Sequence, residues 1–257
     1  MRKRLSCQSC AVLLALLLTL PAAMAADLKL LSAGAVEPGI RAAVARYERD
    51  SGDKVTIIFA TAPVLRERAG SAAAAAAAGF DVLVAPVAVF ATIASAGTVR
   101  EQRATLGSVG IGVAVRPDAP RPDLASAESL RAALLGAESV VFNRASTGQY
   151  VAGLLQKLGI ADAMAGKTTQ VADGAAVVKH LMQGRGREFG FAPITEIVLH
   201  KDQGLVFVGA LPADVQNRTT YQASVAAQPR DEAAAMRLWR YLSSAEALAT
   251  FKAAGID

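Results

Sequence analysis

The sequence predicts an α/β fold, and three observations carry that prediction. Short β-rich apolar runs alternate with helical patterns from one end of the chain to the other. Stretches of small and hydroxyl residues stand where such a run gives way to a helix. Both cysteines, Cys7 and Cys10, lie in the first ten residues, so burial alone must hold the rest together.

At the amino terminus, Arg2, Lys3 and Arg4 precede an apolar run from Ala11 to Leu20, then Pro21 and Ala23-Met24-Ala25. A positive head, an apolar stretch too short to span a bilayer and a small-residue end read as a signal peptide, residues 1–25, cut after Ala25. Neither cysteine follows the apolar run, so no lipid anchor is expected and the destination is the periplasm. Removing Arg2, Lys3 and Arg4 lowers the formal net charge from +5 to +2. No basic patch with interleaved aromatics remains, which argues against nucleic-acid binding. The remaining 232 residues suffice for one large domain or two lobes.

The expected strands are Leu28 to Leu31, Val55 to Phe59, Val82 to Val84, Val109 to Val115, Val140 to Phe142, Phe189 to Ala192 and Leu205 to Val208. Ile40, Ala43, Val44 and Tyr47 fall at i, i+3, i+4 and i+7, one apolar stripe of a helix. Ala72 to Ala78 extends a helix begun near Val64. Ser126 caps a helix that runs to Leu135 and stops at Gly136. Ser146 or Thr147 caps another, which Gly159 ends. Ala235, Leu238, Trp239 and Leu242 repeat the helical spacing, with Trp239 as a core anchor.

Several motifs carry no chemistry. Ala161 to Thr168 nearly matches a phosphate-binding loop, but Ala161 replaces the first glycine and a helix precedes it, so Gly166-Lys167 is a turn. Gly107, Gly110 and Gly112 lead into a strand, which suits a flexible crossing between lobes better than a dinucleotide site. His180 and His200 have no carboxylate spacing that makes a ligand set, so neither metal nor cofactor is expected. His180 reads as a helix-surface or packed histidine. No nucleophile elbow or mature cysteine offers covalent catalysis. Asn217-Arg218-Thr219 matches a glycosylation sequon without consequence in a bacterial-type exported chain.

The informative stretches are the junctions Ser32-Ala33-Gly34-Ala35, Ala60-Thr61-Ala62, Asn143 to Gly148 and Asp173-Gly174-Ala175. Each leaves unpaired N–H groups at a helix start, where the dipole favours negative charge. Several converging on one cleft make an anion site without many charged side chains.

In this order, the junctions resemble the molybdate-binding protein family of ABC importers, a branch of the type II periplasmic binding proteins. Phe80-Asp81-Val82-Leu83-Val84-Ala85, Thr147-Gly148-Gln149-Tyr150, Phe189-Gly190-Phe191-Ala192 and Ala247 to Phe251 extend the likeness over nearly the whole mature chain. The resemblance implies two lobes, each a mixed sheet flanked by helices, with a ligand cleft between them. Lobe 1 takes 26–106 plus 229–257 and lobe 2 takes 107–228, with crossings near Leu106 to Gly110 and Ala227 to Arg230. It implies capture of a small oxyanion by hinge closure, an ABC transporter permease as partner, and a monomer.

In that family two serine hydroxyls, a tyrosine hydroxyl and backbone N–H groups hold the oxyanion. The serine positions fall on Ala35 and Ala62, the tyrosine on Pro193, and the backbone positions on Thr147 and Ala175. With those three hydroxyls gone, Ser32, Thr61 and Ser146 stand at neighbouring positions as substitute hydroxyl donors, and a small carboxylate fits as well as molybdate, with Arg144 or Arg66 as its bidentate partner. The expected ligand-binding residues are therefore Ser32, Gly34, Ala35, Thr61, Ala62, Arg144, Ser146, Thr147, Gly174, Ala175 and Pro193. A second reading is a periplasmic isomerase of a tricarboxylate such as aconitate. Its general base would come from Glu37, Asp173 or Glu196.

Overall fold

The computed structural model describes residues 25–257, and the signal peptide expected over residues 1–25 lies, but for Ala25, outside the described residues. The strands are β1 (Asp27–Ala33), β2 (Lys54–Ala60), β3 (Val82–Pro86), β4 (Ala104–Val115), β5 (Ser139–Asn143), β6 (Thr168–Val171), β7 (Glu188–Pro193), β8 (Val206–Ala210) and β9 (Arg218–Val225). The helices are α1 (Glu37–Ser51), α2 (Ala62–Ala69), α3 (Ala72–Ala78), α4 (Val87–Ile93), α5 (Ala127–Leu135), α6 (Ser146–Lys157), α7 (Ala161–Ala165), α8 (Gly174–Gln183), α9 (Ile194–Leu199), α10 (Glu232–Leu242) and α11 (Ala245–Ala253).

The strands follow one path, β2-β1-β3-β9-β4-β7-β5-β6, with β8 also on β4. It divides into two mixed groups that share β4. Residues Ala104 to Gly110 of β4 pair with β9, and Ile111 to Val115 pair with β7 and β8. Within each group the strands that carry junctions run parallel: β1 with β2 and β3, and β5 with β6 and β7. One apolar cluster, containing Leu30, Ile40, Val84 and Leu238, fills the first group. Two more, one around Val113, Phe142 and Phe191 and one around Val141, Val178 and Leu181, cover the faces of the second. This is the two-lobed α/β architecture that the sequence predicts.

β9 and β6 are the strands that hydrophobic runs do not announce. In β9 the buried apolar side chains are Tyr221, Ala223 and Val225, with Gln222 and the buried Ser224 between them, so the apolar pattern alternates without forming a run. Trp239 confirms its anchoring role by donating from Nε1 to the Ala223 carbonyl at 3.0 Å, which docks α10 on β9.

Two local expectations are corrected. The alanine run is a separate helix: α2 ends at Ala69, and the Ser71 hydroxyl accepts from the Ala74 amide to start α3 anew. Ser146 is the first residue of α6 and not its cap, because Asn143 takes that task. The turn at Ala227–Arg230 belongs to the first strand group, where Ala227 N–H meets the Thr98 carbonyl and Arg230 pairs with the buried Asp81 carboxylate. β9, which begins at Arg218, pairs with β3 and with Ala104 to Gly110 of β4.

The glycines of β4 serve close packing. Gly107 sits beside a bulge at φ 141°, and a Cβ there would stand 3.0 Å from the Ile256 backbone. A Cβ on Gly112 would come within 2.9 Å of Ile197, and one on Gly110 within 3.3 Å of Ile194. Their absence lets α9 lie flat on β4. Lys167 donates to the Leu135 and Ala137 carbonyls, so it ties a turn and faces no phosphate loop.

Candidate functional site

Four parallel strands end at one cleft of about 180 Å³. From the first group, β1 runs into the turn Gly34–Val36 and then α1, and β2 runs through Thr61 into α2. From the second, β5 leads to α6 and β6 to α8. Of the expected residues, Gly34, Ala35, Thr61, Ala62, Ser146, Thr147, Gly174, Ala175 and Pro193 line it together.

Ser32 and Arg144 do not. Ser32 is fully buried, and its hydroxyl turns back to the Ala33 carbonyl. Arg144 lines a different groove, with Phe142, Leu155 and Gln156. Asn143 faces the cleft, so side-chain alternation sends the next residue to the opposite face. Arg66 lies a turn inside α2 and is not part of the lining.

Lobe 2 uses the same device twice. Asn143 Oδ1 accepts from the Ala145 and Gly148 amides at 3.0 and 3.1 Å, and Asp173 Oδ1 accepts from the Ala176 amide at 2.8 Å. Each cap consumes the third amide of its helix. The first two amides, Ser146 and Thr147 in α6 and Gly174 and Ala175 in α8, have no intrahelical acceptor and border the cleft. Residue 148 must be glycine, because a Cβ would overlap the Asn143 carbonyl.

The three carboxyls named as candidate bases also converge there, since Glu37, Asp173 and Glu196 all line the cleft. Glu37 accepts from Arg41 Nε at 2.6 Å. Glu196 keeps partial exposure as a residue, yet its Oε2 is shut off from solvent with no hydrogen-bond partner. Burial, and then the charges of Asp173 and Glu37, push its carboxyl up to about 8. Tyr221, reaching in from β9, is pushed up by burial and by Glu196. Among the described residues, no lysine or arginine lines the cleft and no His/Cys/Asp/Glu group is placed to hold a metal.

Sequence reasoning missed Tyr221 and His200 as lining residues. His200 sits there because its Nδ1 lies 2.8 Å from the Glu196 carbonyl one turn back. For Tyr221 the available signal was the alternation of Thr219, Tyr221, Ala223 and Val225.

Two α/β strand groups that share β4, with a cleft at the carboxyl ends of their strands, define a solute-binding protein of the two-lobed periplasmic class. The chain belongs to the bacterial extracellular solute-binding protein family, whose sequence model matches residues 28–257. The Azotobacter vinelandii periplasmic molybdate-binding protein shares the fold at a TM-score of 0.70, with 16% identity over 90% of this chain and 98% of that one. The sulfate-binding protein of Mycobacterium tuberculosis superposes at 0.68, with 16% identity over 90% of this chain and 86% of that one. The substrate-binding domain of a putative molybdenum ABC transporter from Clostridium difficile superposes at 0.66, with 15% identity over 90% of this chain and 98% of that one. In sequence, an aconitate isomerase from a Pseudomonas species is 26% identical over 250 residues, 96% of this chain and 93% of its own.

Proposed function

We propose that this chain is the periplasmic capture component of an ABC importer and holds a small carboxylate between its lobes. The observation behind it is the convergence of helix starts from both strand groups on one cleft, with paired free amides at α6 and α8. Where the molybdate family places hydroxyls, this chain has Ala35, Ala62 and Pro193. A buried oxyanion left short of donors loses on the order of 1–3 kcal/mol per missing hydrogen bond, which disfavours molybdate. Arginine plays no part in this reading, since neither Arg144 nor Arg66 lines the cleft.

The strand pairing favours placing the lobe boundaries at Gly110 and Gln216. Lobe 1 is then 26–110 with 218–257, and lobe 2 is 111–217. In the open form a ligand meets one lobe, and hinge closure through β4 and the segment entering β9 adds the amides of the other and expels water. A permease reads the closed form, and the protein acts as a monomer.

A thermal-shift screen of molybdate, tungstate, sulfate, phosphate and small carboxylates tests this, since a ligand that binds only the folded state raises the melting temperature. A carboxylate should raise it. No shift with any anion removes the capture reading.

The second reading, isomerisation of a tricarboxylate such as aconitate, draws support from the Pseudomonas relative and from Glu196. A carboxyl pushed to about 8 sits near the range a general base needs. Incubation with cis-aconitate decides it: no trans isomer formed means no isomerase.

A further inference from the structure

The cleft is short of positive charge and well supplied with acids. Glu37 is answered by Arg41, and Asp173 spends one oxygen on the Ala176 amide. Glu196 has neither kind of partner at Oε2. Its position is built from both sides. α9 is seated on the glycines of β4, Thr195 fastens the helix to lobe 1, and the carboxyl reaches between Gly34 and Gly174. A Cβ on Gly174 would overlap it, and one on Gly34 would stand 3.4 Å from Oε1.

We propose that Glu196 enters the site as a neutral acid whose O–H donates to a carboxylate of the guest, which restricts the ligand to mono- and dicarboxylates and ties its capture to a proton. The inference rests on the carboxylate-capture reading and names its substrate class. An ionised Glu196 would offer lone pairs to a guest that already carries them. The neutral form supplies the donor that alanine and proline cannot at 35, 62 and 193.

The groups facing it agree. Asp173 at the start of α8 and Glu37 at the start of α1 are acidic, Arg41 is engaged by Glu37, Tyr221 brings a phenol from β9, and the His200 ring turns to the Glu196 carbonyl. Burial beside two acids holds the proton on at neutral pH, and a bound carboxylate holds it more firmly. Each further negative charge on a guest has to sit near Asp173 and Glu37 without a cationic side chain, which selects against tricarboxylates and tetrahedral dianions.

The test is calorimetric titration of the protein with pyruvate, succinate, citrate, cis-aconitate, sulfate and molybdate between pH 6 and 10. Pyruvate or succinate should bind with constant affinity up to about pH 7.5. Above about pH 8 the affinity should fall about tenfold per unit. E196Q, which keeps a donor and cannot ionise, should bind within a few fold of the parent at pH 7 and show no pH dependence. E196L should bind at least tenfold more weakly throughout. As a folding control without ligand, the parent should lose melting temperature relative to E196Q between pH 5 and 9, because a raised carboxyl favours the folded state at low pH and that advantage disappears as pH climbs through about 8.

A pH-independent parent affinity, or E196L binding like the parent, overturns the inference while carboxylate capture stands. Binding of sulfate or molybdate alone overturns both the ligand class and the capture of carboxylates. No binding at all overturns both readings. Turnover of cis-aconitate that rises through pH 8 and vanishes in E196Q makes Glu196 an ionised base, which also overturns it.

Discussion

Thr195 Oγ1 donates a 2.6 Å hydrogen bond to the Ala35 carbonyl across the cleft, so the first turn of α9 is fastened to the junction that follows β1. Thr195 is 2% exposed, and the bond lies beside Glu196. It joins residues 160 positions apart and ties the start of α9 to the turn after β1.

Thr195→Val keeps the shape and deletes the donor, leaving the Ala35 carbonyl unpaired. The cost is about 1–3 kcal/mol against closure. Ligand affinity should therefore drop roughly five- to a hundred-and-fiftyfold. Small-angle scattering of the ligand-free variant should report a larger radius of gyration than the parent, and an unchanged radius would count against the latch.

Gly174→Ala places a methyl where the Glu196 carboxyl lies. The first turn of α8 or the start of α9 must shift, so titration should find ligand affinity at least tenfold lower. The melting temperature should move far less, because the site lies at a cleft and not in a core cluster. Binding at the parent level would mean that the carboxyl has another place to go.

Asn143→Ala removes the acceptor for two amides at the start of α6. Losing such a cap costs about 0.5–2 kcal/mol. In a protein of this size, each kcal/mol lost corresponds to about 2–4 °C in melting temperature. Calorimetry should record that fall, and Gly148→Ala should exceed it because the new Cβ strikes the Asn143 carbonyl.

Asp53 gives an acid-side prediction. Burial alone would raise its carboxyl, but hydrogen bonds from the Tyr47 hydroxyl, the Ala26 amide and the Arg237 guanidinium outweigh that and hold it below the ordinary 3.8. A lowered carboxyl stabilises the fold above its unfolded value, and the contribution disappears as pH falls from 3.8 through the folded value. Asp53→Asn should lower the melting temperature at pH 7 and flatten its decline below pH 4. A parallel acid limb in both proteins would remove Asp53 as its source.

Much of the fold was legible because its signals are local. Seven strands show as apolar or β-branched runs, α1 and α10 show as apolar stripes, and α5 shows by its cap Ser126 and its stop Gly136. β9 was not, because a strand paired on both edges carries Thr, Gln and Ser on its alternate face. The alanine run misled for a related reason: helix propensity is high throughout it, and a single Ser71 cap decides where one helix ends and the next begins.

By itself the sequence determined the α/β alternation, the helix-start junctions and nine of the residues that border the cleft, because a strand-to-helix turn is written in a few neighbouring residues. Tertiary structure alone decided that Arg144 turns away, that Tyr221 arrives from a strand nearly 190 residues after β1, and that Glu37, Asp173 and Glu196 share one space. Facing direction, burial and mutual repulsion arise only when distant segments are packed together, and those three quantities set what the Glu196 carboxyl can do.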